Sequence, residues 1–127
     1  MSGARPDQHI QKYLLVDDHA GFRLTVRDFL PGGGPVHVIE CGDGIEALAA
    51  YEREQPDWVL MDIEMPGLDG LSALREIRSR DPQARVAIVT QYDNAVLRKE
   101  AASAGAIAFI SKDDLTQLRR LLEGNAS

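Results

Sequence analysis

Three aspartates, a threonine and a lysine sit where apolar runs of this chain end. Asp17 and Asp18 follow Tyr13-Leu14-Leu15-Val16. Asp62 follows Trp58-Val59-Leu60-Met61, Thr90 follows Val86-Ala87-Ile88-Val89, and Lys112 comes just after Ile107-Ala108-Phe109-Ile110. Carboxylates gathered in one place repel and raise one another's pKa. A hard divalent cation, Mg²⁺ (or Mn²⁺), relieves that repulsion; it takes oxygen ligands, uses one or two carboxylates and keeps room for waters and a phosphate. A lysine adds a second positive charge and a threonine a neutral hydroxyl donor, which together make a phosphoryl-transfer set. Asp62 is the natural nucleophile, because a carboxylate can accept a phosphoryl group as an aspartyl phosphate. The cation and Lys112 would offset charge on the equatorial oxygens. Each residue alone has an ordinary reading: an Asp after a strand is commonly a turn or cap residue, Thr90 a strand-end residue, and Lys112 a solvated charge. Five residues of the right types at the same end of four runs are far more specific than any one of them.

The elements that must hold these residues are legible as alternation. Val36-His37-Val38-Ile39 is a further short run, giving five in all. Between them lie helical patterns. Phe22, Val26, Phe29 and Leu30 mark the first. Asp43 with Glu46 caps the second, with Ile45, Leu48 and Ala49 on its inner face. Leu71, Leu74 and Ile77 mark the third. Asp93 is the expected cap of the fourth, which reaches Gly105. Asp113 or Asp114 caps the last, where Leu115, Leu118, Leu121 and Leu122 share a face. Pro31-Gly32-Gly33-Gly34-Pro35, Pro56 and Pro82 punctuate the series; the glycine-rich stretch lacks the Gly-Lys-Ser/Thr ending of a phosphate loop. Runs without polar alternation suit strands buried on both faces of a parallel sheet. Repeated β-to-α units predict a doubly wound, three-layer α/β domain, whose ligands bind beyond the carboxyl ends of the strands.

Composition sets the outer bounds. The 127 residues are 44% apolar and 27% charged, close to globular averages and the size of one domain. Residues 1–11 read as a tail, 12–124 as the domain and 125–127 as a second tail. A single cysteine, Cys41, excludes an internal disulfide framework and a cysteine-only zinc site; it reads as a small filler. The net charge of −6 speaks against a nucleic-acid-binding surface. No apolar run approaches the roughly 20 residues of a membrane span, and the N-terminus lacks a signal-peptide core, so a cytoplasmic domain is expected. His9, His19 and His37 have no metal spacing, and His19 belongs at the rim of the acidic pair. Trp58 should pack at the start of the third strand, and Pro66-Gly67 should form a tight turn. Ala101, Ala102, Ala104 and Ala106 leave the fourth helix a weak apolar stripe and a looser anchor.

On these residues the chain resembles the receiver domain of two-component response regulators from Lys12 to Glu123. The resemblance rests on Leu14-Leu15-Val16-Asp17-Asp18, on Val59-Leu60-Met61-Asp62-Ile63-Glu64-Met65-Pro66-Gly67-Leu68-Asp69-Gly70, on Thr90, and on Gly105-Ala106 through Phe109 to Lys112. Val16-Asp17-Asp18-His19 with Phe22-Arg23, and Ser111-Lys112-Asp113, look most like receivers that precede LuxR-type helix-turn-helix domains. The resemblance implies a flavodoxin-like fold with five helices and strand order 2-1-3-4-5. It implies that Asp62 takes a phosphoryl group from a sensor histidine kinase, that Mg²⁺ is held by Asp18, Asp62 and the backbone carbonyl of Glu64, and that Asp17 reaches it through water. Lys112 and Thr90 would bind the phosphoryl group. Thr90 and Phe109 would be the switch, changing the surface of helix four, strand five and helix five. That surface would control an output such as transcription, and could pair two copies on phosphorylation. Glu64 and Tyr92 occupy positions that tune self-dephosphorylation. No separate substrate turnover, no direct nucleic-acid contact by this domain and no membrane partner are expected. The chain would be either a stand-alone receiver or one cut from a DNA-binding regulator.

Two departures and two rivals stand beside this. Asp113 replaces the proline of many receivers, and Phe109 the alternative tyrosine. A haloacid-dehalogenase-type phosphatase needs a second aspartate where Glu64 stands, and a cap domain for which 127 residues leave no room. A pseudo-receiver would be an interaction module without phosphoryl chemistry, yet the whole polar set is present here.

Overall fold

The computed structural model describes residues 9–124; residues 1–8 of the tail expected at 1–11, and the tail expected at 125–127, lie outside them. Five strands alternate with five helices: β1 (Gln11–Val16), α1 (Ala20–Arg27), β2 (Val36–Cys41), α2 (Gly44–Glu54), β3 (Trp58–Met61), α3 (Gly70–Arg80), β4 (Val86–Thr90), α4 (Ala95–Ser103), β5 (Ala108–Ser111) and α5 (Thr116–Gly124). The sheet order is β2-β1-β3-β4-β5 and each neighbouring pair is parallel. The expected fold class and strand order are therefore borne out. No helix among the described residues is long and apolar enough to cross a membrane.

Side chains alternate across a strand, so an apolar run without polar breaks feeds two layers at once. Leu14, Val16, Val59, Met61, Val86 and Ile88 face one core with Ala47 and Tyr51 of α2, Leu74 and Ile77 of α3, and Ala101 of α4. Tyr13, Leu15, Trp58, Leu60, Ala87 and Val89 face the other, with Val26 of α1 and Leu118 and Leu122 of α5. Trp58 is buried at the start of β3, as expected, with Arg85 over its ring at 4.8 Å. Burial on both faces holds throughout β3 and β4; β2 lies at the sheet edge and is largely open.

Several local expectations are revised. β1 begins at Gln11, inside the expected tail, and His9 Nε2 lies 3.0 Å from Asp57 Oδ2. α1 stops at Arg27; Phe29 and Leu30 follow in hydrogen-bonded turns rather than on the helix. In α2, Ile45 and Ala49 face solvent while Gly44, Ala47, Ala50 and Tyr51 turn inward. The reason is the close approach at Gly44, where a Cβ would stand 2.2 Å from the Leu68 carbonyl oxygen; contact there sets the rotation of the helix. Asp43 accepts from Glu46 N as expected. α4 is capped by Asn94, which accepts from Leu97 N at 2.9 Å, and not by Asp93, whose carboxylate is taken by Arg98. Leu115 precedes α5 and is buried with Leu118 and Leu122, while Leu121 is only partly covered.

Gly70 places the start of α3 against the end of β3. Its N–H donates to Ile63 O at 2.9 Å, and a Cβ on it would stand 2.0 Å from the carbonyl oxygen of Asp62. The motif glycine thus allows α3 to close on the backbone that carries Asp62. Gly70→Ala should lower the urea-unfolding free energy by about 1–3 kcal/mol or more, the cost of overpacking a rigid contact. Gly21→Ala, in α1 with nothing within 4 Å of its added Cβ, should instead raise stability by about 0.5–1 kcal/mol. A neutral result at Gly70 would contradict the contact. Cys41 is buried at the end of β2, and desolvation, aided by nearby Glu46, pushes its thiol up to about 11. It should resist alkylation at pH 8 in the folded protein and react in urea; ready labelling of the native chain would contradict that burial.

Candidate functional site

The strand order reverses around β1 and β3, and in open α/β sheets such a crevice at the carboxyl ends of the strands is the ligand site. β1 ends at Val16 and β3 at Met61. Asp17 N–H donates to Cys41 O at 3.0 Å and Asp62 N–H to Val16 O at 2.9 Å. These backbone bonds carry the ladders one residue past the strands and set the two carboxylates side by side. Both are almost fully buried, at 5% and 3% exposure. At the far end of the same edge, Lys112 N–H donates to Thr90 O at 2.9 Å, which fixes the start of the lysine side chain.

The Lys112 ammonium bridges the pair. Its Nζ donates to Asp62 Oδ2 at 2.9 Å and lies 2.8 Å from Asp17 Oδ2, with the Phe22 ring centroid 4.2 Å away. Burial alone would lower its pKa, but the hydrogen bonds and charges of Asp17 and Asp62 outweigh that and hold it above the ordinary lysine value. Lys112 is therefore charged throughout the neutral range.

Asp18 stands at the rim beside exposed His19, whose Nδ1 is 3.1 Å from Asp18 Oδ1 and 3.3 Å from Asp17 Oδ1. Arg23 Nη1 donates to the Asp17 carbonyl oxygen, and Arg23 Nε donates to Glu40 at 2.7 Å. Glu64 is exposed, and its N–H donates a long 3.4 Å bond to Asp62 Oδ1. Thr90 is fully buried, and its Oγ1 accepts from Tyr92 N–H at 3.3 Å. Asp18, His19, Asp62, Glu64, Met65, Pro66, Gln91 and Tyr92 enclose an open cleft of about 450 Å³. Phe109 lies apart from the cleft. It is half-buried, in register with Ile88, and Arg98 sits over its ring.

The structure thus brings Asp17, Asp18, Asp62, Glu64, Thr90, Tyr92 and Lys112 to one end of the sheet. A second cleft, about 470 Å³, opens among Tyr13, Pro35, Trp58 and Arg85 near the strand starts and holds none of them. Sequence reasoning missed three contacts: the bridging of Asp17 by Lys112, the Phe22 ring beside that lysine, and Arg98 over Phe109. The first was implicit in the charge pattern; the other two had no sequence signal.

The donor set can be tested for a cation. Asp17, Asp18 and Asp62 against Lys112 leave two negative charges uncompensated. Hard oxygen donors at the mouth of an open cleft suit a small dication that keeps its waters, so the residues fit Mg²⁺ or Mn²⁺. Nearby, Asp17, Asp18 and His19 each bring a ligand atom within 4.8 Å of the others.

Comparison with known proteins shows the family. A family model of the response regulator receiver domain matches residues 13–123. The transcriptional activator protein ExaE of Pseudomonas putida is 40% identical over 119 residues, covering 89% of this chain and 56% of its own length. The chemotaxis protein CheY of Bacillus subtilis is 38% identical over 112 residues, 88% of this chain and 92% of that one. The chain thus spans little more than half of the first relative and nearly all of the second. Among solved structures, a CheX–CheY–BeF3–Mg²⁺ complex from Borrelia burgdorferi superposes with a TM-score of 0.80 at 26% identity, covering 92% of this chain and 90% of that one. The chain belongs to the response regulator receiver domain family.

Proposed function

We propose that this receiver is a phosphorylation-activated switch whose acceptor is Asp62. The observation that carries the reading is the pair of buried carboxylates, Asp17 and Asp62, held together by one buried lysine. A carboxylate oxygen of Asp62 attacks the phosphorus of a phosphohistidine on a sensor kinase. The phosphorus–nitrogen bond breaks as the oxygen–phosphorus bond forms. The electron pair leaves on the imidazole, and the product is an acyl phosphate.

Asp18 and Asp62, with the Glu64 carbonyl, would hold Mg²⁺ (or Mn²⁺), and Asp17 would reach it through water. When bound, the cation would neutralise charge on the phosphoryl oxygens. Lys112 does the complementary work from the buried side. Its ammonium already touches Asp62 Oδ2, and as that carboxylate becomes the acyl phosphate the lysine follows the charge onto the phosphoryl oxygens. Thr90 offers its hydroxyl from the adjoining strand end. Glu64 and Tyr92 line the cleft, where they would set how easily water reaches the acyl phosphate.

Thr90 and Phe109 on the neighbouring strands β4 and β5 would relay the change to the surface of α4, β5 and α5. The readout is a two-state shift biased by the new contacts at Asp62. The output would be transcription, as the name of the transcriptional activator ExaE says of that relative, with pairing of two receivers through the same surface. The CheY complex with BeF3 and Mg²⁺ supports the cation, and no turnover of a separate substrate is part of this reading.

Incubation with acetyl phosphate and Mg²⁺ should give one phosphoryl adduct by intact mass. The adduct should need the cation and vanish in Asp62→Asn. No adduct in the parent chain would favour a phosphorylation-independent interaction module, and an adduct that survives Asp62→Asn would place the acceptor elsewhere.

A further inference from the structure

Arg98 touches the one aromatic ring that the switching scheme asks to move. Its guanidinium carbon lies 4.8 Å from the Phe109 ring centroid. Its Nε and Nη2 donate to Asp93 Oδ1 and Oδ2 at 2.6 and 2.9 Å. A bidentate carboxylate fixes the orientation of a planar guanidinium as well as its position. The same hydrogen bonding holds the Asp93 carboxyl below its ordinary value.

Asp93 precedes Asn94, the cap of α4. The pair therefore ties three pieces together: the loop after β4, the body of α4, and the aromatic side chain of β5. This matters because α4 buries only Ala101 fully. With so little apolar anchoring, contacts at its edge carry a larger share of its position.

Phe109 is in register with Ile88, and Thr90 lies two residues further along β4. Residues two apart share a face of a strand, so Phe109 and Thr90 lie on the same face, one step apart diagonally. In the two-state scheme proposed above the ring leaves its half-buried place for the space beside Thr90, and the contact with the guanidinium belongs to the half-buried place. An interaction made in only one of two states shifts the equilibrium toward that state.

We infer that Arg98, clamped by Asp93, is a positioning residue that holds Phe109 in its half-buried place and so sets the threshold of the switch. The inference rests on the phosphoryl reading above for its role, though not for its geometry. The chemistry is a cation–π contact at a partly exposed site, small enough to be overcome by the phosphoryl group and large enough to measure.

The test is a titration with beryllofluoride and Mg²⁺, a mimic of the phosphoryl group, followed by the methyl resonance of Thr90. Arg98→Ala should tighten beryllofluoride binding by about two- to five-fold, the size of such a contact. Arg98→Lys, which keeps the charge but loses the bidentate fork, should fall between it and the parent. The gain should disappear when Phe109→Ala is added, an outcome that a merely structural role for Arg98 would not produce. Without beryllofluoride, the Thr90 methyl of Arg98→Ala should already be displaced by the nearer ring. Unchanged or weaker binding in Arg98→Ala, or an equal gain with Phe109→Ala present, would overturn the inference. Failure of the parent chain to bind beryllofluoride would count against the phosphoryl reading alone. The Thr90 methyl in the free protein would then decide the latch: displaced supports it, unmoved overturns it.

Discussion

One ammonium between two buried carboxylates is the constraint on which the site depends. Removing a carboxylate from water is costly unless it is paired and hydrogen-bonded. Asp17 and Asp62 satisfy that condition through Lys112, whose Nζ reaches both within 2.9 Å. The bridge also spans the sheet. Asp17 extends β1, Asp62 extends β3, and Lys112 follows β5, so the three strand ends are held in one electrostatic unit. One charge of that pair, and Asp18 at the rim, are left that Lys112 does not balance. That imbalance of two negative charges makes the cleft a place for a dication.

Backbone geometry delivers these groups. The β1–β3 crevice exists because the strand order reverses there, and ladder bonds from Asp17 and Asp62 keep both carboxylates at its floor. α3 presses its first residue, Gly70, against the Asp62 carbonyl, so the Asp62 backbone has little freedom. The opposite holds at α4 and β5. α4 is thinly packed, and Phe109 on β5 is only half-buried. A rigid carboxylate-bearing strand end beside a loosely anchored helix is what the proposed two-state device needs: a local charge change that cannot relax at its origin is passed to the part that can move.

Much of this was legible in the residues. The apolar runs named all five strands, because buried parallel strands need no polar alternation, and the polar residues that end those runs marked the working end of the sheet. What was not legible depended on relative rotation and on choice among equals. Ile45, Ala47 and Ala49 are all acceptable on an inner face; the approach of Gly44 to Leu68 decides for Ala47. Asp93 and Asn94 are both good caps; the demand of Arg98 for a carboxylate leaves Asn94 to cap α4. Lys112 could be paired with any of the three aspartates on charge alone, and only the course of β5 beside β4 selects Asp17 and Asp62. The stacking of Arg98 on Phe109 joins residues on separate elements and has no local pattern.

The central claim is that the site's uncompensated charge is shaped for a dication. It is tested most directly by a Mg²⁺ titration followed through the backbone amide resonances of Asp62 and Glu64. The charge balance predicts a saturable shift of both amides in the parent chain, lost in Asp18→Asn while the fold persists. No saturable shift, or one that Asp18→Asn leaves unchanged, would contradict it.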